Sequence, residues 1–208
     1  MSQWMAWIYE WMMAAPEAHC LARWRGELLG GLTGKGLEIG AGTGLNLRHY
    51  PAGLELTLLE PDAAMRVLLE KRLAEGGLSG ASILTEGAER LPLADESLDF
   101  VVSTLVCCTV GDPVGTLAEI HRVLRPGGQL VFMEHVGAPA GTFSRRVQGL
   151  VEPVWKLFAG GCHLTRDTGP AIVEAGFESE GWIEAPMCRA PFFVRPTVRG
   201  IARKGGRI

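Results

Sequence analysis

The chain has 208 residues, 47% of them apolar and 21% charged, with a formal net charge of −3. That size suits one compact α/β domain with a small appendage, and the charge balance excludes both a nucleic-acid electrostatic footprint and a disordered acidic tail. The five cysteines are an odd set without C-x-x-C spacing, so neither a disulfide framework nor a metal site is expected, and a reducing cytoplasm is the expected setting.

The first twenty residues, MSQWMAWIYEWMMAAPEAHC, are apolar but lack the basic start and long core of a signal peptide. Glu10 interrupts them well short of a membrane span. Trp4, Trp7, Ile8, Trp11 and Met12 recur at helical spacing, which predicts a short helix with one Trp- and Met-rich face. Such a helix packs on the core, covers an apolar substrate pocket, or makes peripheral contact with a membrane interface. Residues 1–30 are therefore read as a helical cap on a domain spanning 31–208.

Five short apolar runs follow: KGLEIG, LELTLLE, ASILTEG, LDFVVSTLV and GQLVFMEHV. Between them, MRVLLEKRLAE and PVGTLAEIHRVL carry apolar residues at three- and four-residue intervals. This alternation predicts a doubly wound α/β sheet, whose ligands bind beyond the carboxyl ends of the strands. Thr142 to Phe158 then reads as a helix, and HLTRDTGPAIVEAGF as a loop entering another. Two closing strands, about Glu178 to Glu184 and Phe193 to Lys204, are expected to be antiparallel because only short connections precede them.

The chemistry begins in the loop after the first strand, GLEIGAGTGLN. Glycines there let backbone approach a ligand and aim amide groups at it. The third glycine of Gly40, Gly42 and Gly44 comes one place earlier than the dinucleotide fingerprint requires. Glu60, twenty residues after Gly40, ends the second strand, where a carboxylate accepts hydrogen bonds from ribose hydroxyls. An NAD-dependent dehydrogenase competes on fold grounds, but the glycine spacing counts against it.

LEIGAGTG, LLEPD, GAERLPLADESLDFVVS and EIHRVLRPGG together resemble the cofactor half of class I S-adenosylmethionine-dependent methyltransferases. The resemblance implies a seven-stranded Rossmann-like sheet with a reversed final hairpin, and S-adenosyl-L-methionine as cofactor. It further implies that Glu38 meets the methionine amino group, that Gly40, Gly42 and Gly44 permit close approach, and that Glu60, with Pro61 beside it, takes the ribose hydroxyls. Ala88 and Glu89 fall where the family contacts adenine, although Glu89 also reads as a solvated charge. Thr104 borders the methionine end.

No NPPY-type tetrapeptide follows the fourth strand, which lowers DNA and amide acceptors. TLVCCTV, RVLRPGGQLVFMEHV, GCHLTRDT and RPTVRGIARK resemble the thiol S-methyltransferases of animals and their bacterial relatives. That implies a small-molecule acceptor, with S-methylation of a small apolar thiol as the leading reading and a lipid-like amine or quinone as the alternative. The animal enzymes begin with a long hydrophobic anchor, where this chain has its Trp-rich segment. His135, at the carboxyl end of the fifth strand, is read as a base or thiolate stabiliser, or as a residue that orients the following loop. His163 and Arg166 lie on a segment able to close over the site; Arg166 stabilises a thiolate, binds an acid or pairs with Asp167. Cys107, Cys108 and Cys162 are read as apolar liners, since direct transfer needs no covalent enzyme intermediate. Trp4, Trp7, Trp11, Trp155 and Phe158 are expected to form an apolar lid or wall.

Overall fold

A computed structural model describes residues 3–76, 78 and 80–206. The strands are β1 (Lys35–Ile39), β2 (Glu55–Leu59), β3 (Ser82–Leu84), β4 (Leu98–Thr104), β5 (Leu124–His135), β6 (Phe177–Pro186) and β7 (Pro196–Lys204). They form one sheet in the order β3-β2-β1-β4-β5-β7-β6, with β7 antiparallel to both of its neighbours and the other pairings parallel. The doubly wound reading and the reversed closing hairpin are both borne out. β7 starts three residues later than expected, because Val194 N–H donates to Pro191 O and Met187 N–H to Arg195 O, which folds 187–195 into a loop.

The strands read as near-continuous apolar runs because both faces of the sheet are covered. Leu37, Ile39, Val101 and Leu130 pack on one side with Leu117 and Ile120 of α4 (Pro113–Val123) and Ile172 of α6 (Thr168–Glu174). Leu56, Leu58, Phe100 and Val102 face the other, against Leu69 of α3 (Ala63–Gly76). Phe143–Phe158 forms α5, and its expected first residue, Thr142, is the N-cap, accepting a hydrogen bond from Arg145 N–H at 3.2 Å. In EIHRVLRPGG, Arg122 donates to the carbonyls of Leu91 and Leu93 and binds Glu119, so this motif holds the 91–95 loop that leads into β4.

The N-terminal segment is longer than the short helix expected. α1 (Gln3–Pro16) runs through five π-helical residues, Glu17–Leu21, into α2 (Ala22–Leu29). Cys20, Leu21 and Trp24 pack with Met133 and Met187, fastening α2 to the sheet, while α1 lies against α3 through Ala6, Ala64 and Met65.

Candidate active site

Register places the site. Ile39 pairs with Leu59 on β2 and with Ser103 on β4, so Gly40, Glu60 and Thr104 leave the sheet at one level. This is also where strand order reverses, the crevice in which doubly wound sheets bind ligands. A cavity of about 360 Å³ opens there, lined among others by Gly40, Gly42, Glu60, Pro61, Ala88 and Glu89.

Gly40, Gly42 and Gly44 have φ of +56°, +59° and +86°, the left-handed region in which a Cβ is strained. A Cβ on Gly40 would also lie 2.6 Å from Val106 Cγ2, and one on Gly44 2.9 Å from both Leu47 Cδ1 and Leu69 Cδ1, whereas Gly42 meets nothing nearer than 3.8 Å. Gly42 therefore stays open toward the cavity, and Gly44 serves packing against α3. The Glu60 carboxylate closes the loop, accepting from Gly42 N–H at 2.7 Å and Asp62 N–H at 2.8 Å. Burial raises its pKa, against the pull of those two hydrogen bonds. Met65, Leu105, Val106 and Val110 supply apolar surface, and exposed Glu89 sits on the rim, held by Gly111 N–H.

Three expected cofactor residues are not in this wall. Gly44 is one. Glu38 is 2% exposed and accepts from Asn46 Nδ2 and Tyr50 Oη, each at 2.8 Å. Burial pushes its carboxyl up to about 7. Thr104 Oγ1 accepts from Asn46 Nδ2 and from Arg25, whose guanidinium also donates to Asn46 Oδ1 and to Glu17. Glu17, Arg25, Asn46, Thr104, Glu38 and Tyr50 thus form a continuous buried polar network behind the glycine loop. The side chains expected to face the methionine end are drawn into it because each buried polar atom must find a partner.

A second cavity, of about 460 Å³, adjoins the first and shares Tyr9, Leu105, Thr109 and Ala159 with it. Its wall is mostly apolar: Met12 and Met13 of α1, then Met187, Pro191 and Val194, with Trp11 and Trp155 among the aromatic lining. Two buried polar groups in it, the His135 imidazole (2% exposed) and Trp155 Nε1, have no well-formed hydrogen bond among the described residues, and both act instead on the neighbouring Cys162 thiol. Cys108 and Cys162 line the same cavity, as expected of small liners, while Cys107 lies buried beside Ser103 and Glu134. Hydrogen bonding from Cys108 lowers the Cys162 thiol, as does His135, and Cys108 is correspondingly raised.

His163 and Arg166 line neither cavity. His163 Nδ1 lies 3.2 Å from Glu152 Oε1 on α5, and the same carboxylate accepts from Leu164 N–H, Thr165 N–H and Thr165 Oγ1. Arg166 donates to the carbonyls of Cys107 and Val110 at 2.6 and 2.8 Å, while Asp167 is taken by Arg145. GCHLTRDT therefore braces the loop after β4 and presents Cys162 to the cavity.

Residues to which sequence reasoning gave no role in the site complete the frame. Glu134, fully buried, accepts from Ser103 Oγ, Val106 N–H and Cys107 N–H, and burial pushes its carboxyl up to about 7. Glu10 of α1 binds Arg72 of α3, and both bind Thr43 of the glycine loop, so the N-terminal helix is latched over that loop. An acidic residue on an otherwise apolar helix face was the available signal for Glu10.

This sheet order, with a glycine loop after β1 and a carboxylate after β2, defines a doubly wound nucleotide-cofactor site. A family model described as a methyltransferase domain matches residues 37–132. Thiol S-methyltransferase TMT1B of Rattus norvegicus is 40% identical over 172 residues, covering 81% of this chain and 70% of that protein. Phosphatidylethanolamine N-methyltransferase of Cereibacter sphaeroides is 31% identical over 109 residues, covering 52% and 54% of the two chains. The solved structure of a SAM-dependent methyltransferase from Thermotoga maritima superposes with a TM-score of 0.67 at 22% identity, covering 98% of this chain and 100% of that one. The chain belongs to the class I S-adenosylmethionine-dependent methyltransferases, and S-adenosylmethionine is its methyl donor.

Proposed function

We propose that the chain methylates the sulfur of a small apolar thiol. The observation that carries this reading is the pair of buried polar groups, the His135 imidazole and the Trp155 N–H, that face the Cys162 thiol in a mostly apolar cavity adjoining the cofactor cavity. The thiol S-methyltransferase relative at 40% identity supports it.

The residues of the first cavity fit the cofactor. Glu60 is placed for the ribose hydroxyls, the Gly40 and Gly42 backbone for close approach, and Pro61, Ala88 and the rim carboxylate Glu89 for the adenine end. Glu38 and Thr104 act from behind the wall by fixing Asn46 and the loop. When bound, the cofactor supplies an electrophilic methyl group on a sulfonium. His135 accepts the acceptor's S–H proton, and the Trp155 N–H donates to the sulfur and fixes its lone pair in line. A free thiol titrates near ~8.5, so modest help from a neighbouring base suffices. The apolar wall strips water from the thiolate and so raises its reactivity. His163 and Arg166 hold the cavity's shape.

A lipid-like amine or quinone is the second reading, favoured by the apolar outer faces of α1 and α5 around the cavities and by the N-methyltransferase relative. Purified protein should be assayed with S-adenosylmethionine against thiols, amines, phenols and phospholipids, reading the demethylated cofactor. Turnover on small alkyl thiols, lost in His135→Ala with cofactor affinity retained, is the expected result. Turnover on amines or phospholipids with none on thiols would reject the thiol reading, and equal turnover in His135→Ala would return that histidine to a structural role.

A further inference from the structure

α5 is amphipathic in the unusual sense. Phe143, Leu150, Pro153, Val154, Leu157 and Phe158 lie exposed at helical spacing, with Leu150 81% exposed and Leu157 73%. Three of its polar residues face inward instead. Glu152 binds residues 163–165, Gln148 holds Ala138 N–H and the Phe193 carbonyl, and Arg145 binds Asp167. Arg146 is the sole charged side chain among the exposed residues of α5.

α1 repeats the pattern. Every exposed residue of α1 whose side chain is described is apolar, namely Trp4, Trp7, Ile8, Trp11, Ala14 and Ala15. Its one carboxylate, Glu10, is turned inward onto Arg72 and Thr43. The two helices converge on one place. Trp11 of α1 and Trp155 of α5 line the acceptor cavity together, and Tyr9 and Phe158 line the cofactor cavity together.

We infer that α1 and α5 form a bilayer-docking face, and that the acceptor cavity opens at its centre. Exposed apolar patches of this extent mark interaction surfaces. Three exposed indoles favour a lipid interface as occupant, because an indole ring seats among headgroups with its apolar body down. Charge agrees: the exposed faces carry Arg146 and no carboxylate among the described side chains, which complements an anionic leaflet. Docking holds whatever the acceptor is; that the acceptor arrives from the lipid phase rests on the acceptor-cavity assignment above.

The test is co-sedimentation of the full chain with phosphatidylcholine vesicles, with and without phosphatidylglycerol, alongside sizing without lipid. The parent is expected to pellet with vesicles and to show a blue shift in tryptophan emission. Leu150→Ser/Leu157→Ser and, separately, Trp4→Ser/Trp7→Ser are each expected to weaken partitioning at least about tenfold. Since these side chains are already exposed, thermal stability should be unchanged. Arg146→Glu is expected to weaken binding to anionic vesicles and leave neutral ones unaffected. Failure of the parent to bind either vesicle overturns the proposal, as does lipid binding that survives both double substitutions. Self-association without vesicle binding, abolished by those substitutions, would instead assign the face to a second copy of the chain. Activity on soluble thiols is a separate readout, so failure of docking is distinguishable from failure of the thiol reading.

Discussion

Gly42 and Gly44 separate the two demands on the glycine loop, and alanine at each makes the separation measurable. Both have positive φ, +59° and +86°, so an added Cβ costs about 1–2 kcal/mol of backbone strain at either position. At Gly42 nothing lies within 3.8 Å of that Cβ, so strain is the whole cost, and a chain of this size should lose about 2–8 °C in Tm. At Gly44 the Cβ meets Leu47 and Leu69 at 2.9 Å, and overpacking adds about 1–3 kcal/mol. Cofactor affinity should rank the other way. Gly42 lines the cavity and Gly44 does not, so a methyl group at Gly42 occupies cofactor space. Calorimetric titration with S-adenosylmethionine is expected to show at least about a tenfold loss for Gly42→Ala, or ~1.4 kcal/mol, with a smaller loss for Gly44→Ala despite its lower Tm. Parental affinity in Gly42→Ala would refute the placement of the cofactor against this loop.

Glu60→Gln presents an amide N–H₂ to the Gly42 or Asp62 N–H that the carboxylate now accepts; cofactor affinity should fall more than tenfold with the far-UV spectrum unchanged, and unaltered affinity would remove Glu60 from the site. Glu10→Ala releases the latch onto Arg72 and Thr43 and should raise the KM for cofactor severalfold with little change in kcat; an unchanged KM would show that the latch does not hold the loop. Glu134 carries a carboxyl raised by burial from 4.5 to about 7. The native state therefore keeps a proton that the unfolded chain releases between those pH values, so this group's contribution to stability declines as pH rises through that window and is flat above it. Comparing Tm against pH for the parent and Glu134→Gln should show a shallower decline between pH ~5 and ~7 in the variant, and parallel curves would contradict the assignment.

The sheet was legible because strands buried on both faces carry continuous apolar runs. The glycine loop was legible because left-handed backbone leaves glycine as its mark. Glu60 followed from its place at a strand end. Where reading stopped, long-range partners decided. His163 and Arg166 carry the right chemistry in a mobile-looking segment, yet Glu152 on a helix and two carbonyls after β4 claim them. Glu38 and Thr104 were placed at the correct level of the sheet, but they are turned inward by Arg25, on a helix with no motif, and by Asn46, which ends the glycine loop without being one of its glycines. The α5 helix was found by periodicity, and its outward apolar face was hidden by the same rule, which assumes that the apolar side of a helix meets the core.

The π-helical residues Glu17–Leu21 set an angle. Ala22 N–H reaches back five residues to Glu17 O, one more than an α-helix allows, and each residue of helix corresponds to about 100° of rotation. The azimuth of α1 is thereby uncoupled from that of α2: one segment fixes Trp24 against the sheet while the other independently aims Tyr9 at the cavities and the tryptophans outward. Removing a single residue from this stretch would leave composition and helix content almost untouched. It would swing Glu10 away from Arg72 and roll the aromatic stripe around the helix, a change of phase that a comparison of side-chain types alone would never register.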